Sequence, residues 1–420
     1  MKMFITGMLI LSVCATVHAQ THAVDPVTDD VALKTAKGED LHPVSGEIPE
    51  VNEMRGHAAH GFGTPMAMEI SKDMEFPLPQ PYALKELYAR INERCASKDF
   101  DCYRSGLIDI TKIHGARAGL DLLRRLIDND DIQDYGMHHV SHHVAHHIGF
   151  YNAVTFGASR ETLFLCAMDF KYACVHGFFQ GAIRTKQMDP QAARKFVDDL
   201  AGDPSTELLL RYALYHGLGH GYMVYFDYDM RKAIGLCDQL NDDGEKISCW
   251  GGLFMENEDC SLTENWQKCG YSKEDPMAPC NSLPSVNQYT CYFNHSRWLM
   301  DLFDNDFVKV IEACGNVPEG RGIGCLEYLG QTVMSLSWQK QFIKDYSSRS
   351  IPGNAVYVCE QFPGRLTETC MRSTIFGFRN DKKNKNIGLD DFCQGLDPQY
   401  QQWCLSPLGE SEGDKGGFRR

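Results

Sequence analysis

Beyond Val13 the chain has no uninterrupted apolar run approaching the roughly 18 residues needed to cross a bilayer, so no transmembrane segment is expected. Strand-like alternation and Asn-Gly hairpin turns are nearly absent, which argues against β-structure. Positive charge is scarce, with 41 Lys and Arg against 56 Asp and Glu and a formal net charge of −15. Such a surface repels phosphate backbones and anionic membranes, so nucleic acid is not an expected partner. The Cys-x-x-Cys-His sequence does not occur, which excludes covalently attached c-type haem. No Ser/His/Asp array, nucleotide-binding loop or paired-carboxylate motif stands out.

Cysteine and histidine, by contrast, are plentiful and patterned. Residues 1–19 read as a secretory signal, with Lys2, an apolar stretch from Phe4 to Val13, and Val17-His18-Ala19 before the expected cleavage. Leu11-Ser-Val-Cys14 resembles a lipoprotein box, but Val13 is larger than the small residue such boxes carry. Removal of the signal takes away Cys14 and leaves 16 of the 17 cysteines, an even number suited to an oxidising compartment, so a periplasmic or secreted location is expected.

In chain order those cysteines fall into neighbours: Cys95/Cys102, Cys166/Cys174, Cys237/Cys249, Cys260/Cys269, Cys280/Cys291, Cys314/Cys325, Cys359/Cys370 and Cys393/Cys404. The last four pairs share a spacing of eleven, which points to eight local disulfides. Zinc clusters use closer cysteine pairs.

Residues 20–80 are rich in Pro, Gly, Asp and Glu and read as a poorly structured N-terminal arm, His57 and His60 included. From Pro81 apolar residues recur at helical spacing (Tyr82, Leu84, Leu87, Tyr88, Ile91, then Leu107, Ile110, Ile113), so residues 81–408 are expected to form an all-α domain. Residues 409–420 are a polar tail, expected to be disordered.

Aligning cysteines exposes an internal frame. Tyr172-Ala-Cys-Val-His176-Gly-Phe-Phe-Gln180-Gly matches Tyr212-Ala-Leu-Tyr-His216-Gly-Leu-Gly-His220-Gly, and Tyr135, His139 and His143 fit the same spacing. The same count from Cys291 reaches Phe293 and Arg297. Each unit reads as a helix ending at one cysteine, a polar turn, and a helix beginning near the next, the pattern of a helical hairpin repeat. In this the chain resembles disulfide-rich Sel1-like and TPR-like repeat proteins, with Glu327-Tyr-Leu-Gly330 the nearest echo of their Ala-x-x-x-Leu-Gly signature. The resemblance implies a right-handed α-solenoid of disulfide-stapled hairpins.

Six histidines crowd into His138–His147 and form two ladders at i, i+4: His138/His142/His146 and His139/His143/His147. The ladders lie about 100° apart on a helix, so both cannot face one site equally. The frame selects His139, His143 and His147, joined by His176, His216 and His220; a register matching His143 and His147 to His216 and His220 is the alternative. Neutral imidazoles stacked on neighbouring helices suit a transition metal, copper or zinc first and iron next. Gly177, Gly181, Gly217, Gly219 and Gly221 allow close helix approach or leave room beside the rings.

The expected function is therefore a secreted or periplasmic metal-binding repeat protein, read as a metalloenzyme with Tyr135, Tyr172 and Tyr212 as candidate catalytic residues. A metal storage protein and a solenoid scaffold for a protein or polymer partner are the alternatives. Beside the metal ion, a small-molecule or protein partner is expected, and the sequence names no reaction.

Overall fold

The computed structural model describes residues 76–317 apart from 97–98, 130, 132–138, 167–169, 262–265 and 305, scattered residues between 324 and 375, and residues 389–405. The expected signal, nearly all of the expected arm, Tyr135, His138 and the 409–420 tail lie outside the described residues.

Among the described residues the secondary structure is helical throughout, as expected. In chain order the helices are α1 (Leu84–Arg94), α2 (Phe100–Asp128), α3 (His139–Phe156), α4 (Arg160–Leu163), α5 (Ala173–Arg184), α6 (Pro190–Ala201), α7 (Leu208–Tyr225), α8 (Met230–Cys237), α9 (Asp243–Ser261), α10 (Ser285–Leu302), α11 (Phe307–Gly315), α12 (Leu389–Gln394) and α13 (Pro398–Leu405). Helices α2, α3, α5, α7, α9 and α10 each pack against the next, while α6 sits on α5 and α7, and α8 on α7 and α9.

The joints between long and short helices repeat for a local reason. Three of the long helices, α5, α7 and α10, are each followed two residues past their end by a residue in the left-handed region: Lys186 (φ 59°), Asp227 (φ 51°) and Asp304 (φ 50°). An aspartate two or three residues later then caps the next helix. Asp189 accepts from the Ala192 amide at 2.8 Å, Asp229 from Lys232 at 3.3 Å and Asp306 from Lys309 at 3.3 Å. Pro190 reinforces the first start from the N1 position, where its missing N–H costs nothing.

All eight cysteine pairs are joined as their spacing suggests, Cys95–Cys102 through Cys393–Cys404. Loop closure over the short separations of 7 to 12 residues constrains the unfolded chain by about 2–3 kcal/mol each. No described helix is long and apolar enough to cross a membrane.

Burial is greatest in the middle of the row, where Ala173 to Ile183 of α5 are all buried. A helix covered on every side needs partners on every side, and two reciprocal glycine contacts bring them close. A Cβ on Gly177 would lie 1.8 Å from the His146 carbonyl oxygen, and one on Gly149 would lie 1.9 Å from that of Cys174. The same contact joins α7 to α9, where a Cβ on Gly252 would meet the His216 carbonyl oxygen at 1.9 Å and one on Gly219 that of Cys249 at 2.0 Å. Both contacts flank histidines and fix the depth at which those rings enter the interior.

Candidate metal centre

Five imidazoles from three consecutive long helices converge: His142 and His146 of α3, His176 of α5, and His216 and His220 of α7. Neighbouring ring centroids lie 4.5 to 5.6 Å apart, from His176–His216 at one end to His142–His176 at the other. His146, His176 and His220 are buried, while His142 and His216 are of intermediate burial. Among the described residues, the nitrogens that could hold a metal fall into two triads, His142/His146/His176 and His176/His216/His220.

The partners of Nδ1 decide which nitrogens carry lone pairs. His142 Nδ1 lies 2.9 Å from the Phe170 carbonyl oxygen, which can only accept, so the ring is protonated at Nδ1 and bare at Nε2. His146 Nδ1 meets Gln180 Oε1 at 3.3 Å, the amide being oriented by Gln180 Nε2 donating to Glu256. His220 Nδ1 donates to Glu256 Oε2 at 3.0 Å, and His216 to the Ser248 backbone carbonyl. Four Nε2 lone pairs are thereby preset by acceptors outside the cluster, the arrangement by which outer groups orient metal-ligating histidines.

With both rings protonated at Nδ1, the Nε2 lone pairs of His142 and His146 face each other at hydrogen-bond distance without a proton to share. His142 Nε2 and His146 Nε2 are 3.1 Å apart, and His176 Nδ1 is 3.3 Å from His146 Nε2. Bonds of about 2.0–2.1 Å to a tetrahedral ion place neighbouring ligand nitrogens about 3.3–3.4 Å apart. Two edges of the first triad are close to that length, and the third is within 4.8 Å. In the second triad, the buried Nε2 atoms of His216 and His220 have no hydrogen-bond partner.

Burial keeps all five rings neutral at pH 7, and neighbouring imidazoles depress His142, His176, His216 and His220 further. His146 is pushed down to about 4 and His216 to about 3, and His142, His176 and His220 lie well below the ordinary value. A neutral ring offers its lone pair without competition from a proton.

Beside the rings lies a buried carboxylate group from α9. Glu256 also accepts from Tyr228 Oη at 3.0 Å, and burial lifts its carboxyl to about 7 against the opposing hydrogen bonds of Tyr228 and Gln180. Burial likewise raises Glu258 to about 7 and Asp259 well above the usual range, the nearby Arg297 opposing both. Arg297 lies 3.8 Å from Glu258 and 3.9 Å from Asp259.

The histidine frame therefore needs one correction. His176, His216 and His220 come together as expected, but α3 contributes His142 and His146 in place of His139, His143 and His147. His143 Nε2 accepts from Arg297 Nη1 at 3.5 Å and faces Asp259 at 3.9 Å, because its ladder is turned toward α9 and α10. His147 belongs to neither triad. His139 opens α3, and its side chain lies outside the described residues.

The tyrosines of the frame are placed differently. Tyr172 lines an apolar surface pocket with Leu163, Val175, Leu200 and Leu214, and the Tyr212 carbonyl accepts from Ser248 Oγ at 2.7 Å where α7 meets α9. Tyr228 is hydrogen-bonded to the site through Glu256. It and Glu256 escape the Tyr-x-x-x-His frame, which on α9 selects Gly251 and Met255. The spacing His146-x-x-Gly149, matched by His216-x-x-Gly219, would have identified the correct ladder. No protein-family model, curated protein or solved structure matches the chain, so its chemistry has to be read from these residues themselves.

Proposed function

We propose that the protein is a metal-binding helical-repeat protein of the periplasm or the extracellular space, holding a transition metal on His142, His146, His176, His216 and His220 and acting as a metalloenzyme. The observation that carries this reading is the set of Nε2 lone pairs held together by outer acceptors, with His142 and His146 3.1 Å apart. An all-imidazole set favours copper or zinc, with iron next.

Two features favour an enzyme over a storage site. His142 and His216 are the less buried members of the cluster, on the side from which a small molecule would approach. Tyr228, Glu256 and Gln180 form a hydrogen-bonded set reaching His220 and His146, and groups of this kind hold or move protons beside a metal. The eight disulfides support an oxidising compartment. The successive packing of long helices, with Asp-capped short helices across them, is what a helical-repeat array of this kind would need.

Elemental analysis of untagged protein purified from its own compartment tests the function. Stoichiometric copper, zinc or iron is expected, and azide should perturb the absorption band of a copper or iron form, or of a cobalt-substituted zinc form. Bound metal that ignores azide would favour storage. Protein without transition metal would favour the scaffold reading.

A further inference from the structure

The ligand nitrogens do not form one set. Nitrogens bonded to a single ion at about 2.0–2.1 Å lie within about 4.2 Å of one another even when opposite. Only three of the five imidazoles at a time come within 4.8 Å of each other, with His142 and His146 in one triad, His216 and His220 in the other, and His176 in both.

Each triad also has its own direct acceptors. The Phe170 carbonyl and Gln180 Oε1 hold the rings of the first. The Ser248 carbonyl and Glu256 Oε2 hold those of the second. Gln180 and His220 meet at Glu256 Oε2, so the two oriented pairs are linked through one carboxylate, while each keeps its own direct acceptors.

Resting on the metal-binding reading above, we infer that the centre is dinuclear, with one transition-metal ion on His142, His146 and His176 and a second on His176, His216 and His220. The shared ring serves each ion through one of its two nitrogens. Binding of the second ion then releases the remaining N–H proton of His176 to solvent and leaves a bridging imidazolate. The negative charge of Glu256, 3.0 Å from His220, offsets part of the added positive charge.

The test uses the full chain stripped with a chelator, titrated with Cu(II), desalted and analysed for copper. Two ions per chain are expected. His142→Ala/His146→Ala and His216→Ala/His220→Ala should each keep one, with circular dichroism confirming helicity. The spin-integrated Cu(II) resonance of the loaded parent should fall short of two spins through coupling, and each pair variant should give one full spin. If a pair variant fails to fold, His142→Gln and His220→Gln alone should each lower the affinity of one of the two binding steps. One ion in the parent, lost in both pair variants, would overturn the dinuclear centre and leave the metal-binding reading intact. No copper bound by the folded parent would overturn both.

Discussion

A methyl group on Gly177 would sit 1.8 Å from the carbonyl oxygen of His146, so α5 and α3 touch backbone to backbone at the point where the first triad is built. The obstacle is backbone, which cannot rotate aside. Gly177→Ala should therefore destabilise the protein by about 1–3 kcal/mol, the usual cost of overpacking, and weaken metal binding as His146 is displaced. Gly235 provides the control: it lies within α8 with nothing within 4 Å of its added Cβ. Gly235→Ala should stabilise by up to ~1 kcal/mol through helix propensity. Denaturant midpoints of the two variants check both signs.

Glu256 fixes His220 with Nδ1 as donor and Nε2 free. Replacing it with Gln keeps the shape but weakens that acceptor and removes the charge. Loss of such an outer partner typically lowers metal affinity about 10- to 100-fold, and Glu256→Gln should do so with helicity unchanged. Tyr228→Phe, which removes only the hydrogen bond to the other carboxylate oxygen, should have a smaller effect. Competition with a chelator of known affinity measures each, and parental affinity in Glu256→Gln would count against His220 as a ligand.

The metal-free protein should lose stability in mild acid. His146, His216 and the separate His295 are depressed to about 4, 3 and 4 from an ordinary value of 6.5, and His142, His176 and His220 also lie below it. Between these folded values and 6.5 the unfolded chain takes up protons that the fold refuses, so stability is full above pH 6.5 and declines toward pH 4. The raised carboxyls Glu256, Glu258 and Asp259 act in the opposite sense but are outnumbered. Urea titrations of chelator-treated protein at pH 7 and pH 4.5 read the difference. Equal midpoints would mean that the rings are charged or solvated in the fold.

Glu258 reverses the sign. Its folded value of about 7 lies above the ordinary 4.5, so the stability it contributes is full below pH 4.5 and lost as pH rises through 7. Glu258→Gln should leave stability at pH 4.5 nearly unchanged and raise it at pH 8. A loss at pH 8 would show that the ion pair with Arg297 outweighs burial.

Much of this architecture was legible because it is local. Cysteine pairs 7 to 12 residues apart define their own bridges, and His216 and His220 share a face by helix geometry alone. The histidine run was harder, since six rings in ten residues fit either ladder and the frame was anchored on Tyr135. Gly149 held the missing information: a helix can approach another backbone to backbone only where a glycine lies, so the face containing Gly149 had to be the inner one. Glu256 was illegible for a different reason. It reaches the site through the packing of α9 on α7, and spacing within one helix does not report packing between two. The joints are written locally, since Phe226-Asp-Tyr-Asp229 and Phe303-Asp-Asn-Asp306 each combine a left-handed turn with a helix cap.

X-ray absorption at the edge of the metal that copurifies with the protein tests the histidine centre most directly. Nitrogen scatterers at about 2.0–2.1 Å are expected, with the outer-shell pattern of several imidazole rings, and His146→Ala should reduce their number. A shell of oxygen alone, or sulfur at about 2.3 Å, would contradict a centre built on His142, His146, His176, His216 and His220.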